Sequence, residues 1–216
     1  MWVMPFTYCV CDVETDGPIP GVHALRSLAI AAFDEAGDEI SAYQATVEPL
    51  PGTHPDEATM AWWATEPVAW AATTKDPRPA EVVLPELMAW LDALPRPRVF
   101  VAHPLLFDGP WLDAYLQRFT TQRLFAIRPN ESPFDGPGID IPTFVRATFD
   151  LPYRAGPPIY PDSLRHGAPH DHTPLTDARG HARTFFSARA AAGDPIVRNR
   201  IREDILRAEA QSGQSP

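Results

Sequence analysis

The chain has 216 residues, of which 44% are hydrophobic and 21% are charged, a composition typical of a soluble globular protein that excludes disorder throughout and a fibrous repeat. Its 28 Asp and Glu outnumber its 18 Lys and Arg, and the formal net charge of −10 argues against a general nucleic-acid binder with a basic surface. No apolar run approaches the about 18 residues that predict a membrane-spanning helix, and the N-terminus lacks a signal-peptide pattern, so we expect a cytoplasmic protein.

The first half of the chain is predicted to form three strands followed by three helices. Apolar runs and a period-two alternation indicate the strands, which form an antiparallel hairpin or meander. Apolar residues at helical spacing indicate the helices. The predicted strands are residues 8–13, 28–33 and 39–47, and the predicted helices are residues 56–63, 66–70 and 79–94.

The second half is predicted to contain one further strand and then mostly helices and loops. The strand is at 98–102, the helices are at 108–119, 141–149, 176–192 and 195–210, and the Pro-rich and Gly-rich loops are at 128–138 and 152–170. No internal repeat or linker is visible, so we expect a single α/β domain over residues 1–210 and a frayed tail at 211–216.

Cysteine or histidine side chains lie close together in the sequence at two places. Cys9 and Cys11 lie two residues apart in a predicted strand, a spacing that suits neither a disulfide framework nor a paired zinc knuckle, so we expect reduced thiols in the core. The tract containing His166, His170 and His172 is of a kind that binds transition metals, although no ligand set in it matches the usual zinc spacings.

Two acids end the first predicted strand. Asp12 and Glu14 are two residues apart, so in an extended chain their side chains point to the same side. Two carboxylates held so close repel each other unless a cation lies between them, and oxygen ligands suit Mg²⁺ or Mn²⁺ better than zinc. A solvated strand end is the alternative explanation.

Two further acids and a histidine lie at loop or helix starts later in the chain. Asp108 follows the strand at 98–102, and Asp177 lies in the first turn of the predicted helix at 176–192. Both positions are also typical of acids that cap a helix or interact favourably with its dipole. His172 lies on the loop before Asp177, where an imidazole could serve as a general base.

The order of these residues resembles a known family. The segments Asp12-Val-Glu14, Phe107-Asp108 and His172-x4-Asp177 resemble the three motifs of the DEDDh (DnaQ-like) 3′→5′ exonucleases, over about residues 8–190. The segment Thr59-Met-Ala-Trp-Trp63 also resembles the T-M-x-x-W segment of oligoribonucleases, where the tryptophan stacks on bases. The chain is therefore most similar to the branch that contains RNase T, oligoribonuclease and polyadenylate-specific exoribonuclease.

The resemblance implies an RNase H-like α/β fold with a central mixed five-stranded sheet flanked by helices. It implies that two Mg²⁺ or Mn²⁺ ions are held by four acids and that His172 takes the proton from the attacking water. It also assigns substrate contacts to three residues. Trp62 points away from Trp63 on the predicted helix, so we expect Trp62 in the core. The four acids are Asp12, Glu14, Asp108 and Asp177, and the substrate contacts are Gly17, Trp63 and Phe107.

Three functions are consistent with these residues, and the resemblance favours the first. The first is a 3′→5′ exoribonuclease that degrades single-stranded RNA or short oligoribonucleotides to nucleoside 5′-monophosphates. The resemblance to the RNase T and oligoribonuclease branch also implies a homodimer. The second is the same reaction on DNA, as in proofreading or repair. The third is a catalytically silent nucleic-acid-binding or protein-binding module, which the intact set of four acids and His172 argues against.

Overall fold

The computed structural model describes residues 5–126, 128 and 131–212. Most of the predicted tail at 211–216 and two residues of the predicted loop at 128–138 lie outside this part of the chain. The strands are β1 (Thr7–Thr15), β2 (Leu25–Phe33), β3 (Glu39–Thr46), β4 (Arg98–Ala102) and β5 (Ile139–Asp140). The helices are α1 (Glu57–Trp63), α2 (Pro67–Thr73), α3 (Ala80–Asp92), α4 (Leu105–Phe119), α5 (Ile141–Thr148), α6 (Asp162–Arg165), α7 (Pro174–Ala192) and α8 (Pro195–Gln211).

The five strands form one mixed sheet in the order β3-β2-β1-β4-β5. The β1–β2 and β2–β3 pairs are antiparallel, whereas β1–β4 and β4–β5 are parallel. β1 is the central strand and is almost entirely buried, because strands and helices cover it on every side. The predicted mixed five-stranded sheet with flanking helices is confirmed.

Alternation along β1 divides the hydrophobic core into two layers. Cys9 and Cys11 face the layer that packs against α3 and α4, and both are buried free thiols, as predicted. Tyr8 and Val10 face the opposite layer, which contains residues of α5, α7 and α8. Fully burying one large apolar side chain, such as Leu87 of α3, contributes about 1.5–3 kcal/mol. Burial on both faces therefore holds β1 rigidly, together with the acids at its end.

The bounds of several elements differ from the sequence prediction, and two short elements were not predicted. α4 begins at Leu105, three residues earlier than predicted, because Asp108 does not cap the helix but accepts bonds from the neighbouring strand ends. β5 has two residues and α6 has four, and both lie next to or within segments rich in Pro and Gly. Elements this short carry no periodicity. Among the described residues, none of the helices combines the length and apolar character needed to cross a membrane.

Candidate active site

Three of the four predicted acids converge at the carboxyl end of β1. Asp12 and Glu14 continue the alternation of Tyr8 and Val10, so they face α7. Asp177 lies in the first turn of α7 and is 1% exposed. One carboxylate oxygen from each of Asp12, Glu14 and Asp177 lies within 4.8 Å of the other two. We refer to these three residues as the carboxylate trio, and their spacing suits shared coordination of a cation.

The fourth acid, Asp108, lies beside the trio and connects α4 to the sheet. Its Oδ1 accepts a hydrogen bond from the backbone N–H of Val13 at 3.3 Å, and its Oδ2 accepts one from the backbone N–H of His103 at 3.3 Å. Burial raises the pKa of Asp108 well above its usual range, and the nearby charge of Asp12 raises it further. The structure therefore brings all four predicted acids to one end of the sheet.

The raised pKa values of these acids indicate that the cluster lacks a compensating positive charge in the described part of the chain. Burial raises the pKa of Asp12 well above its ordinary value, and the charge of Asp177 adds to the shift. The pKa of Glu14 rises to about 10, first through burial and then through its charged neighbours. Asp12 Oδ2 is buried without a hydrogen-bond partner among the described residues. A divalent cation would compensate both the charge and the orphaned oxygen, and the all-oxygen donor set fits Mg²⁺ or Mn²⁺.

The raised pKa of Glu14 predicts that this residue destabilises the metal-free protein. Between about pH 5 and pH 10 the folded protein binds a proton that the unfolded chain releases, so stability falls as the pH rises through this window. In EDTA at pH 8 we therefore expect Glu14→Gln to be more stable than the wild type by about 1 kcal/mol, a rise in Tm of about 2–4 °C. Mg²⁺ should raise the Tm of the wild type more than that of the variant. A Tm in EDTA below that of the wild type would contradict the prediction.

His172 is held at the trio by its backbone. Its φ of +56° places it in the left-handed region, which lets the loop turn back before α7 begins. Its backbone N–H donates to Asp177 Oδ2 at 3.2 Å, and its carbonyl accepts from Thr73 Oγ1 at 3.2 Å. The imidazole lies edge-on to Trp62, with the ring centroids 4.8 Å apart. The predicted histidine is therefore next to the acids.

Two further histidines contact the carboxylate trio, and the sequence analysis assigned neither to it. His170 Nδ1 lies 2.8 Å from Asp177 Oδ2, and this hydrogen bond raises the pKa of His170. His181 Nε2 lies 3.3 Å from Asp12 Oδ1, and burial lowers the pKa of His181 to about 4, so this ring is neutral near pH 7. His181 follows Asp177 by four residues on α7, which places both on one helix face. That spacing is the signal that could have identified it.

A cleft of about 430 Å³ opens beside the trio, lined by residues that include Asp12, Asp177 and Arg165. Its inner wall contains His103, whose Nε2 is hydrogen-bonded to the Tyr160 hydroxyl at 2.8 Å. The His103 ring stacks on His181 with the centroids 4.6 Å apart and an interplanar angle of 15°. Burial lowers the pKa of His103 to about 3, which keeps the imidazole neutral.

The burial of the two tryptophans of α1 is the reverse of the sequence prediction. Trp63, predicted to stack on bases, is 1% exposed, and its Nε1 donates to the Thr15 carbonyl at 2.9 Å. Trp62, predicted to be core, is 41% exposed and lies against His172. The short α1 packs one of its two adjacent indoles onto the end of β1 and turns the other to solvent. A base can therefore reach Trp62 in this conformation but not Trp63.

The other two predicted substrate contacts, Gly17 and Phe107, pack against other residues of the protein. Gly17 is buried, and a Cβ added there would lie 2.3 Å from Cγ of His23, so the glycine is needed for close approach of that ring. His23 in turn bonds the carbonyl of His54 through Nδ1 at 2.9 Å. Phe107 is half-buried against the core layer of α3 and α4, whereas the neighbouring Leu106 is 87% exposed. The contacts that the structure describes for Gly17 and Phe107 are therefore with His23 and with the core, respectively.

Comparisons with known proteins identify the fold. The chain matches no protein-family model, and it matches no curated protein. It is similar to zinc-bound E. coli exonuclease I in complex with single-stranded DNA, with 16% identity over 95% of this chain and 43% of that chain, at a TM-score of 0.61. It is also similar to a moderately thermophilic exonuclease I from Methylocaldum szegediense, with 16% identity over 92% of this chain and 42% of that chain, at a TM-score of 0.63.

A product-bound exonuclease I has 15% identity over 94% of this chain and 46% of that chain, at a TM-score of 0.56. The chain therefore spans less than half the length of the exonuclease I structures it matches. This structural similarity shows that the chain has the fold of these structures, the RNase H-like fold that the sequence motifs implied. These three neighbours are exonuclease I, so the more specific resemblance to the RNase T and oligoribonuclease branch stays a prediction.

Proposed function

We propose that the chain is a metal-dependent 3′→5′ exonuclease that acts on single-stranded nucleic acid and releases nucleoside 5′-monophosphates. The observation that carries the proposal is the carboxylate trio, with Asp108 beside it and the orphaned Oδ2 of Asp12 within it. The fold shared with exonuclease I supports the same conclusion. The silent binding module explains neither the orphaned oxygen nor the burial of so much negative charge without compensation.

In this proposal the four acids hold two Mg²⁺ or Mn²⁺ ions. When bound, the ions activate a water and stabilise the charge that develops on the phosphate and the leaving 3′ oxygen. Asp12, Glu14 and Asp177 supply oxygens within 4.8 Å of each other, and Asp108 adds a fourth carboxylate whose orientation is fixed by two backbone N–H groups. The carboxylates would also offset the positive charge of the bound ions.

His172 is the proposed general base. Its backbone is fixed on one side by Asp177 and on the other by Thr73, so its ring stays close to the acids. The ring can accept the proton of the attacking water and pass it to solvent, because the imidazole is only partly buried. His181, whose Nε2 lies 3.3 Å from Asp12 Oδ1, and His170, which is hydrogen-bonded to Asp177, are positioning residues that orient the carboxylates.

Trp62 is the proposed stacking surface for a base of the bound strand. Its exposed indole adjoins His172, so a base stacked on it would place the neighbouring phosphate close to the proposed catalytic residues. Base stacking on an aromatic ring contributes about 1–3 kcal/mol. We therefore expect Trp62→Ala to raise the KM for a single-stranded oligonucleotide by about tenfold. The matched control is Val68→Ala on α2, which removes a side chain that is 82% exposed. Equal KM values for the two variants would contradict the assignment.

The sugar of the substrate has two candidates, the ribose of RNA and the deoxyribose of DNA. The resemblance to the RNase T and oligoribonuclease branch and the Thr59–Trp63 segment favour RNA, but Trp63 itself is buried. One of the structural neighbours is a complex with single-stranded DNA, which supports DNA as the second candidate. The homodimer and the cytoplasmic location both stay predictions from the sequence.

A product analysis tests the proposal. RNA and DNA oligonucleotides of one sequence are incubated with the protein and Mg²⁺ or Mn²⁺, and the mononucleotides released are separated by chromatography. We expect nucleoside 5′-monophosphates from at least one substrate, and the substrate with the higher kcat/KM identifies the sugar. Release of 3′-monophosphates, or of internal fragments before mononucleotides, would contradict a 3′→5′ exonuclease. Binding of both substrates without any release would favour the silent module.

A further inference from the structure

We infer that His170, His172 and Asp177 form a binding site for a divalent transition-metal ion of the zinc class, distinct from the carboxylate trio but sharing Asp177 with it. One ligand atom from each of the three residues lies within 4.8 Å of the other two. The two imidazole rings are 4.4 Å apart between centroids. The site therefore offers two nitrogens and one carboxylate oxygen at chelating distance.

The loop before α7 preorganises this site. His170 and His172 are two residues apart, and the left-handed φ of +56° at His172 turns the chain between them and α7. The backbone N–H groups of Asp171 and His172 donate to Oδ1 and Oδ2 of Asp177 at 3.1 and 3.2 Å, so the loop is folded against the helix start. The three ligands are brought together by main-chain contacts that do not depend on a metal.

The donor set favours a borderline ion over Mg²⁺. Imidazole nitrogen suits Zn²⁺, Co²⁺ and Ni²⁺, whereas Mg²⁺ prefers oxygen ligands and retains water. His170 Nδ1 and Asp177 Oδ2 are 2.8 Å apart, and two ligands of one tetrahedral zinc lie about 3.3 Å apart. His170 is 51% exposed, so its ring can move by that small distance without disturbing the core. Three protein ligands leave the fourth position for water.

Occupancy of this site has a consequence that rests on the proposed function. Zinc bound at His172 would occupy the imidazole that is proposed to accept the proton from water. It would also engage the carboxylate of Asp177, which the carboxylate trio shares. We therefore expect Zn²⁺ to inhibit the Mg²⁺-dependent reaction by competing for these two residues.

The test measures binding and does not depend on hydrolysis. Zinc content after equilibrium dialysis and the visible absorption of bound Co²⁺ are compared for the wild type and four variants. His170→Ala and His172→Gln each remove one proposed nitrogen ligand. His166→Ala is the matched control, because His166 is an exposed histidine of the same segment that bonds Ser187 and contributes no ligand. Glu14→Gln removes a member of the carboxylate trio that is not part of this site. Thermal unfolding checks that each variant is folded.

We expect one zinc ion per chain in the wild type, His166→Ala and Glu14→Gln. His170→Ala and His172→Gln should bind zinc at least about tenfold more weakly and lose the Co²⁺ absorption bands of a nitrogen-containing site. Wild-type zinc affinity in both histidine variants would overturn the inference. Loss of zinc in Glu14→Gln but not in the histidine variants would place the ion in the carboxylate trio and would also overturn it. Because zinc content and Co²⁺ absorption do not depend on hydrolysis, a failure of the proposed exonuclease activity leaves this readout unchanged.

Discussion

Replacing Asp12 by Asn is expected to lower the Mg²⁺-dependent rate of 3′-terminal hydrolysis by about 10³-fold or more. The substitution keeps the shape of the side chain but removes the negative charge of the group whose Oδ2 is buried without a partner. A cation at the carboxylate trio would lose one of its anionic ligands, and the stabilisation of the transition state would fall with it. The rate is measured under single-turnover conditions at saturating oligonucleotide.

The same substitution should not unfold the protein. Asp12 is buried with a raised pKa, so Asn removes a group that is costly to ionise. We expect the Tm in EDTA to equal or exceed that of the wild type. The control is Glu57→Gln, which neutralises an exposed acid in the first turn of α1 and should change the rate less than about threefold. A rate for Asp12→Asn within tenfold of the wild type would remove Asp12 from the mechanism.

Replacing His172 by Ala is expected to lower kcat by about 10²–10⁴-fold, the range for loss of a general base. The backbone contacts of His172 with Asp177 and Thr73 do not need the imidazole, so the loop and the carboxylate trio should stay in place. The apparent affinity for Mg²⁺ should consequently change little. The measurement is kcat, KM and the Mg²⁺ concentration for half-maximal rate, all in the same assay.

Two other histidines serve as comparisons for that variant. His166→Ala should retain the wild-type kcat because its imidazole bonds Ser187 away from the acids. His170→Ala tests the identity of the base, because His170 is bonded directly to Asp177. If His170→Ala lost the rate and His172→Ala retained it, the general base would be His170 and our assignment would be wrong.

The first four strands and the positions of the acids at strand ends and helix starts could be predicted from the sequence because they depend on short-range patterns. β1, β2, β3 and β4 are apolar runs or alternations that can be read directly from the chain. Asp12 and Glu14 end the central strand, so their common side follows from the two-residue period. The first-turn position of Asp177 follows from the helical pattern of α7. Their convergence required only that α7 pack on β1, which the family resemblance implied.

The sequence failed where an outcome depended on long-range packing. Nothing in the adjacent pair Trp62 and Trp63 indicates which indole bonds Thr15 and which faces solvent, because that depends on how α1 packs against β1. The contact of His170 with Asp177 depends on the turn of a Pro-rich loop. His181 was detectable in principle, since it follows Asp177 by four residues on the same helix.

One time course tests the central claim most directly. A single-stranded oligonucleotide carrying a 5′ label is incubated with the protein in Mg²⁺, in EDTA, and with Asp12→Asn in Mg²⁺. Our account predicts a ladder that shortens one nucleotide at a time from the 3′ end in the first reaction and intact substrate in the other two. A labelled mononucleotide at the earliest times would indicate the opposite polarity. An equal ladder in EDTA or with Asp12→Asn would show that the carboxylate trio is not the catalytic site.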